Sequence, residues 1–302
     1  MRGRGPGHGA RAGEAELTAG PLDGAAVAIT GSAAGLGRAY ALACAEAGAG
    51  VVVADLDGTA AEAVAARIRG AGGRAIALRH DVRDPAAAEE LAALCVSSFG
   101  RIDGFVANAG LMRSGDAVDV DAVDVAEMLA TNVAGVVHGA TAAMRAMRAA
   151  GTGGSIVTVA SGALQGLAGL SLYGATKGAV MSLTYAWALE GADAGIRCNA
   201  IAPLAHTAMS VQSSASARFP GGRPESVAPA VVHLLSAASA PMTGQIVRFD
   251  GRRLGLMDPP QLSSVAQRES WDAAAVAAAL DGVLAEAIAP VGLLASPRPR
   301  WV

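Results

Sequence analysis

The 302-residue chain is 52% hydrophobic and 16% charged, which excludes a disordered chain and supplies enough apolar material for a large core. Its 23 Lys and Arg against 26 Asp and Glu give a net charge of -3, so it offers no overall basic field for nucleic acid or anionic lipid. Three scattered cysteines, Cys44, Cys95 and Cys198, match no zinc or disulfide spacing and fit a reducing, cytoplasmic setting with no metal site.

The start, MRGRGPGHGARAGEAE, is basic but broken by Gly and Pro, so residues 1–20 read as a flexible arm rather than a signal peptide. No run of about 18 uncharged apolar residues follows anywhere, and no membrane association is expected. From Leu22 onward, β-branched runs alternate with Ala-rich stretches of helical length. Strands are predicted at 25–30, 51–55, 75–80, 103–108, 155–160, 196–201 and 245–250, with helices at 35–48, 58–72, 85–100, 124–150, 172–191 and 224–238. That alternation predicts an α/β domain over 21–255: one doubly wound, seven-stranded parallel sheet with helices on both faces. The Ser/Gly/Pro-rich stretch 202–223 is longer than a turn and reads as a binding loop or lid. Residues 256–302, with a helix at 270–288, form a C-terminal extension expected to pack on the core or on a neighbouring subunit.

Chemistry concentrates in a few places. The first strand runs into TGSAAGLG (30–37), where Gly31, Gly35 and Gly37 let backbone N–H groups and a helix N-terminus approach a pyrophosphate. Such a turn alone is weak evidence in a chain with 39 glycines, and a close-packed turn explains it equally well. Asp55 strengthens the case. It ends the second strand, where a carboxylate accepts hydrogen bonds from a ribose 2′-hydroxyl and repels a 2′-phosphate. No Arg or Lys occurs at 32–34 or 56–58, so NAD is favoured over NADP. Further along, YGATK places Tyr173 and Lys177 on one helix face at i and i+4. They mark either a solvated face with a snorkelling lysine or a site.

Taken in order, TGSAAGLG, NAG (108–110), Asn132 in ATNVAG, Ser161 in VASG and YGATK make the chain resemble the short-chain dehydrogenase/reductase family over about residues 22–251. The resemblance implies a Rossmann catalytic domain and an NAD-dependent oxidoreductase that interconverts a secondary alcohol and a ketone. Its implied catalytic set is Asn132, Ser161, Tyr173 and Lys177. Its implied cofactor contacts are Gly31, Ser32, Gly35, Leu36, Gly37, Asp55, Leu56, Asp81, Val82, Asn108, Ala109, Gly110, Tyr173, Lys177, Pro203 and Thr207. For Asp81, ordinary turn chemistry is nearly as good a reading.

A free tyrosine titrates near 10, and a nearby ammonium is expected to lower it, so Lys177 would tune Tyr173 as the acid/base while Ser161 holds the substrate oxygen. The resemblance adds that Lys177 holds the nicotinamide ribose and that Asn132 positions a relay water. The sequence departs from the family's pattern at two points. Ser161 lies one residue closer to Tyr173 than usual, with Ser155 and Ser171 as less suitable alternatives, and Pro203-Leu204 replaces Pro-Gly. His206 reads as an exposed loop residue.

Leu111, Met112, Ala163, Leu164, Gln165 and Leu170 are expected to line the pocket, favouring a small hydrophobic carbonyl or alcohol substrate. The same fold also supports a lyase, epimerase or cyclase using Tyr173 and Lys177 without net redox; a non-catalytic scaffold would be expected to lack one of them. Family members pair their fourth and fifth long helices, here 124–150 and 172–191, so a homodimer or homotetramer is expected.

Overall fold

The computed structural model describes residues 19–207, 209, 221–262, 264–287 and 292. Residues 1–18 of the expected 1–20 arm, residues 208 and 210–220 of the expected 202–223 lid, and the end of the C-terminal extension lie outside the described residues.

Eight strands form one sheet in the order β3-β2-β1-β4-β5-β6-β7-β8. In chain order they are β1 (Ala26–Thr30), β2 (Gly50–Asp55), β3 (Arg74–Arg79), β4 (Gly104–Ala107), β5 (Gly154–Val159), β6 (Ile196–Pro203), β7 (Ile246–Phe249) and β8 (Leu254–Met257). The first seven are parallel, as expected. The eighth corrects the expected count: it folds back antiparallel on β7. The reversal is built by Asp250, whose carboxylate accepts from the Arg252 and Arg253 N–H groups at 2.8 and 2.6 Å, and by Gly251 at φ +85.

The helices are α1 (Gly35–Glu46), α2 (Gly58–Gly70), α3 (Pro85–Phe99), α4 (Ala122–Leu129), α5 (Gly135–Ala150), α6 (Ser171–Glu190), α7 (Pro224–Leu235) and, in the extension, α8 (Ala273–Asp281). Strand residues alternate between two cores, which is why these strands read as unbroken apolar runs. Val27, Ile29, Val51 and Val53 pack with α1, α2 and α7; Ala26, Ala28, Val52 and Ala54 face α3, α5 and α6. All three cysteines are buried and free, and burial pushes the Cys44 and Cys95 thiols up to about 12. Among the described residues, no helix is long and apolar enough to cross a membrane.

The predicted single helix 124–150 is interrupted. Between α4 and α5 the backbone widens into a π-helical turn, Ala130–Ala134, and Asn132 sits at its centre. Such wide turns are frequent at functional sites because they re-aim side chains. The switch in strand order between β1 and β4 opens a crevice at the carboxyl ends of the strands, and the chemistry-bearing residues converge there.

Candidate active site

The crevice begins at the glycine loop. Gly31, at φ +62, lies so close to β4 that a Cβ would stand 2.7 Å from the Ala109 Cα, and a Cβ on Gly37 would strike the Gly31 carbonyl. These two glycines pack the loop; Gly35 opens it. At Gly35 an added Cβ would meet only Thr207, at 3.7 Å. Helix α1 starts there with no side-chain cap and no acidic residue in its first turn, whereas α2, α3 and α4 each begin on an aspartate that takes up an N–H. Its uncommitted first-turn N–H groups and the positive end of its dipole fit a pyrophosphate.

Several predicted contacts turn out to be braces. The Ser32 side chain is fully buried and bonds the carbonyls of Ile29 (2.8 Å) and Ala54 (3.3 Å), so it ties β1 to β2 instead of facing the crevice. Asn108 Nδ2 donates to the carbonyls of Thr30 (3.0 Å) and Gly31 (2.8 Å), which locks the glycine loop onto the end of β4. Thr30, not singled out in the sequence, accepts from the Asn108 and Ala109 N–H groups at 3.2 Å each. An Asn108→Ala variant is expected to lose about 1–3 kcal/mol of stability in urea unfolding and to bind the dinucleotide more weakly; equal stability would mean the brace is idle.

Asp55 keeps its expected place at the end of β2. One carboxylate oxygen accepts from the Ala33 N–H (2.9 Å) and the other from the Asp57 N–H (3.1 Å), fixing both at the crevice edge with further acceptor capacity. Leu56 beside it is 55% exposed, an apolar face at the rim. Asp81 is engaged elsewhere: Arg83 forks onto it at 2.6–3.1 Å, and those hydrogen bonds hold its carboxyl down near 2. Val82 is buried against Gly135, and its carbonyl faces the His138 ring at 3.2 Å.

Deeper in, Asn132 Oδ1 accepts from the Leu111 N–H (2.7 Å), while its Nδ2 donates to the Leu111 carbonyl (2.8 Å) and to Thr176 Oγ1 (3.1 Å). Thr176 in turn donates to the Tyr173 carbonyl at 2.8 Å. The π-turn is thereby stitched to the helix that carries Tyr173. Lys177, only 3% exposed, donates to the Val159 carbonyl at 2.7 Å, and its ammonium stands 5.6 Å from the centre of the Tyr173 ring. Burial lowers its pKa to about 8.

Burial raises the Tyr173 phenol above its usual value, and the hydrogen bond from Ser161 pulls only partly the other way. The expected lowering by Lys177 is absent from the chain by itself: desolvation sets the direction, and what opposes it is the Ser161 hydrogen bond. Ser161 caps a short 3-10 turn, Gly162–Gln165, and accepts from the Ala163 N–H at 3.2 Å. That compact turn lets Ser161 reach Tyr173 across the shortened loop. Ser155 donates to Leu234 at the far end of β5, and Ser171 is exposed at the start of α6.

The cleft above Tyr173 is walled by Met112, Ala163, Leu167, Leu170, Pro203 and Leu204, with Thr207 at its mouth. Met112, Ala163 and Leu170 were expected there. Leu111, Leu164 and Gln165 do not line it: Leu164 packs on the Ala160/Ala200/Ala202/Ile246 cluster, and Gln165 is exposed. His206 is exposed at the rim. One lining residue that sequence reasoning passed over is Arg248, a lone charge in the otherwise apolar run IVRF.

Comparison with known proteins gives a consistent picture. Residues 25–217 match the family model described as short chain dehydrogenase. An L-rhamnose 1-dehydrogenase (NAD(P)(+)) from Sphingomonas sp. (strain SKA58) is 36% identical over 76% of this chain and 96% of that protein. A cis-4-hydroxycyclohexanecarboxylate dehydrogenase from Sinomonas cyclohexanicum is 37% identical over 74% and 94%. The crystal structure of a short chain dehydrogenase from Mycobacterium avium superposes with a TM-score of 0.83 at 30% identity, covering 90% of this chain and 98% of that one.

Proposed function

The chain belongs to the short-chain dehydrogenase family, an oxidoreductase family whose members use NAD(P), and on that premise we propose that it interconverts a largely apolar secondary alcohol and its ketone with NAD, Tyr173 serving as the acid/base. The observation that carries this reading is the meeting of Ser161 and Tyr173 at the base of an apolar cleft, next to the buried Lys177 and within reach of the uncapped N-terminus of α1.

When bound, NAD supplies the hydride acceptor. The chain's own residues do the rest. Ser161 donates to the substrate oxygen, where charge develops, and Tyr173 takes the hydroxyl proton in oxidation or returns it in reduction. Lys177 supports the tyrosinate electrostatically. All the side-chain polar atoms of Asn132 already bond Leu111 and Thr176, so its role is to position the α4–α5 turn against α6. The side chains over the cleft exclude water and favour an apolar body.

The proposed preference for NAD over NADP is supported by the Asp55 carboxylate, which two backbone N–H groups hold at the end of β2, where it would repel a 2′-phosphate. Asp55→Ser is expected to move the ratio of kcat/KM for NAD to that for NADP toward NADP by about 10–100-fold, the size of removing one charge repulsion and one hydrogen bond. An unchanged ratio would remove Asp55 from this role. The decisive assay for the whole reading follows absorbance of the reduced nicotinamide while secondary alcohols and ketones are offered with NAD(H) or NADP(H). Cofactor binding without any turnover across the panel would favour a proton-transfer enzyme on the same scaffold. The protein is further proposed to act as a homodimer or homotetramer without nucleic-acid or membrane partners, which light scattering of the purified chain would test.

A further inference from the structure

The sheet ends on an unguarded edge. Strand β8 is short, Leu254–Met257, and among the described residues it pairs with β7 alone. Across the hairpin the Asp250 N–H donates to the Arg253 carbonyl at 3.3 Å, so Arg253 turns its backbone groups toward β7. In an antiparallel ladder that orientation alternates, which points the N–H and C=O of Leu254 and Leu256 outward. No described residue bonds those groups. The strand LGLM also carries no Lys or Pro, and its register with β7 is unbroken, so nothing on the edge repels another strand.

The side chains point to the same conclusion. Leu254 lies beside Phe249 and Leu256 beside Val247, and with Pro229, Ala230 and His233 of α7 they line an apolar groove. Leu254 and Leu256 are nevertheless 68% and 58% exposed. Open leucines above unpaired backbone groups are what an added strand would cover.

A second copy of β8 fits this edge by symmetry. With a twofold axis perpendicular to the sheet through Gly255, Leu254 of one copy stands opposite Leu256 of the other, and the reverse pair follows. Both members of each pair have outward backbone groups and groove-side side chains, so the register satisfies the ladder and keeps the two grooves on one face. One pair further out, the same register sets Arg252 against Asp258 of the second copy. Both are exposed, and among the described residues neither side chain has a salt-bridge partner. The edge is therefore complementary to itself in backbone, leucines and charge.

We propose that β8 is an interface between two copies of this chain, which join their sheets antiparallel across Gly255. This rests on the homo-oligomer reading above and names its surface. In a homotetramer a second surface holds the β8-linked dimers together, and loss of the β8 contact leaves dimers.

The test measures the mass of the full chain by light scattering and sedimentation velocity in wild type, Leu256→Asp, Arg252→Glu, Asp258→Arg and the Arg252→Glu/Asp258→Arg double variant. Leu256→Asp is expected to halve the assembled mass, because it sets a carboxylate against a leucine on each side of the axis. Either charge reversal alone places like charges opposite one another twice and weakens self-association by about 10–100-fold; the double variant regains it with the polarity exchanged. Hydrogen exchange reads the backbone itself. The Leu254 amide, protected in the wild-type assembly, exchanges about tenfold or more faster in Leu256→Asp.

An unchanged mass in every variant would overturn this interface and leave a homo-oligomer built on another surface. A wild type that stays monomeric at about 100 μM would overturn both readings. Circular dichroism separates misfolding from lost association. If Leu256→Asp does not fold, the charge variants decide, since they lie outside β8: a double variant that fails to regain what each reversal loses would overturn the proposed pairing.

Discussion

Replacing Tyr173 by phenylalanine is expected to lower turnover by about a thousandfold, within the usual range for removing a general acid/base, while calorimetry still registers NAD binding. The substitution deletes one oxygen and little volume. The Thr176 hydroxyl bonds the residue 173 carbonyl, not the phenol, so the stitch between the π-turn and α6 survives. Ser161 keeps its cap on the Ala163 N–H. Only the proton carrier is lost. The pH profile provides a second readout. Because burial holds the phenol above its ordinary value, alcohol oxidation by wild type should climb from neutral toward about pH 8, above which release of the Lys177 proton works against it, and ketone reduction should fall over the same range. The residual rate of the variant should lack that rise. Turnover near the wild-type level would remove Tyr173 from the chemistry.

The parts of this site that were legible in the sequence are those written in local spacing. Most of the seven parallel strands announced themselves because they are buried on both faces, which leaves a largely apolar run where a half-exposed strand would alternate; the partly exposed edge strand β3 is the exception. The i, i+4 spacing of Tyr173 and Lys177 needed only the helix period, and the structure does place both at the cleft. Strand β8 was less visible. Asp250-Gly251 is a turn signal, but Leu254 and Leu256 alternate over only four residues, too few to stand out from an irregular tail.

Other features depend on contacts between distant segments. One widened turn at Ala130–Ala134 cannot be separated from continuous helical periodicity, because the apolar pattern continues on either side of it. The division of labour among the loop residues was hidden for the same reason. Ser32 and Asn108 carry the right groups to touch a dinucleotide, yet tertiary neighbours, the Ala54 carbonyl in one case and the Thr30 and Gly31 carbonyls in the other, claim their side chains first. Arg248 did leave a trace, since a charge inside an apolar strand has to be explained by something it faces. Only the fold shows that it faces Gly162.

Lys177 leads to the second large effect, in which activity and stability are expected to part company. Lys177→Met should cost about a hundredfold or more in turnover, because the tyrosinate loses its neighbouring cation. Stability at neutral pH should scarcely suffer. Burial takes the ammonium from its ordinary 10.5 to about 8, which corresponds to roughly 3 kcal/mol of destabilisation at pH 7. Methionine removes that penalty and gives back about 1–3 kcal/mol by leaving the Val159 carbonyl without its donor.

The pH dependence carries the sign. Between pH 8 and 10.5 the unfolded chain still binds the Lys177 proton and the folded chain has released it, so this group makes stability rise with pH across that window. Urea unfolding of both proteins at pH 7, 8, 9 and 10 should show wild type gaining on Lys177→Met by about 2–3 kcal/mol as pH rises. A constant difference would mean that the buried ammonium is not destabilised, and a large loss of stability at pH 7 would make Lys177 a structural residue first. The expected combination, an ammonium that weakens the fold while the reaction requires it, is what separates a residue kept for chemistry from one kept for packing.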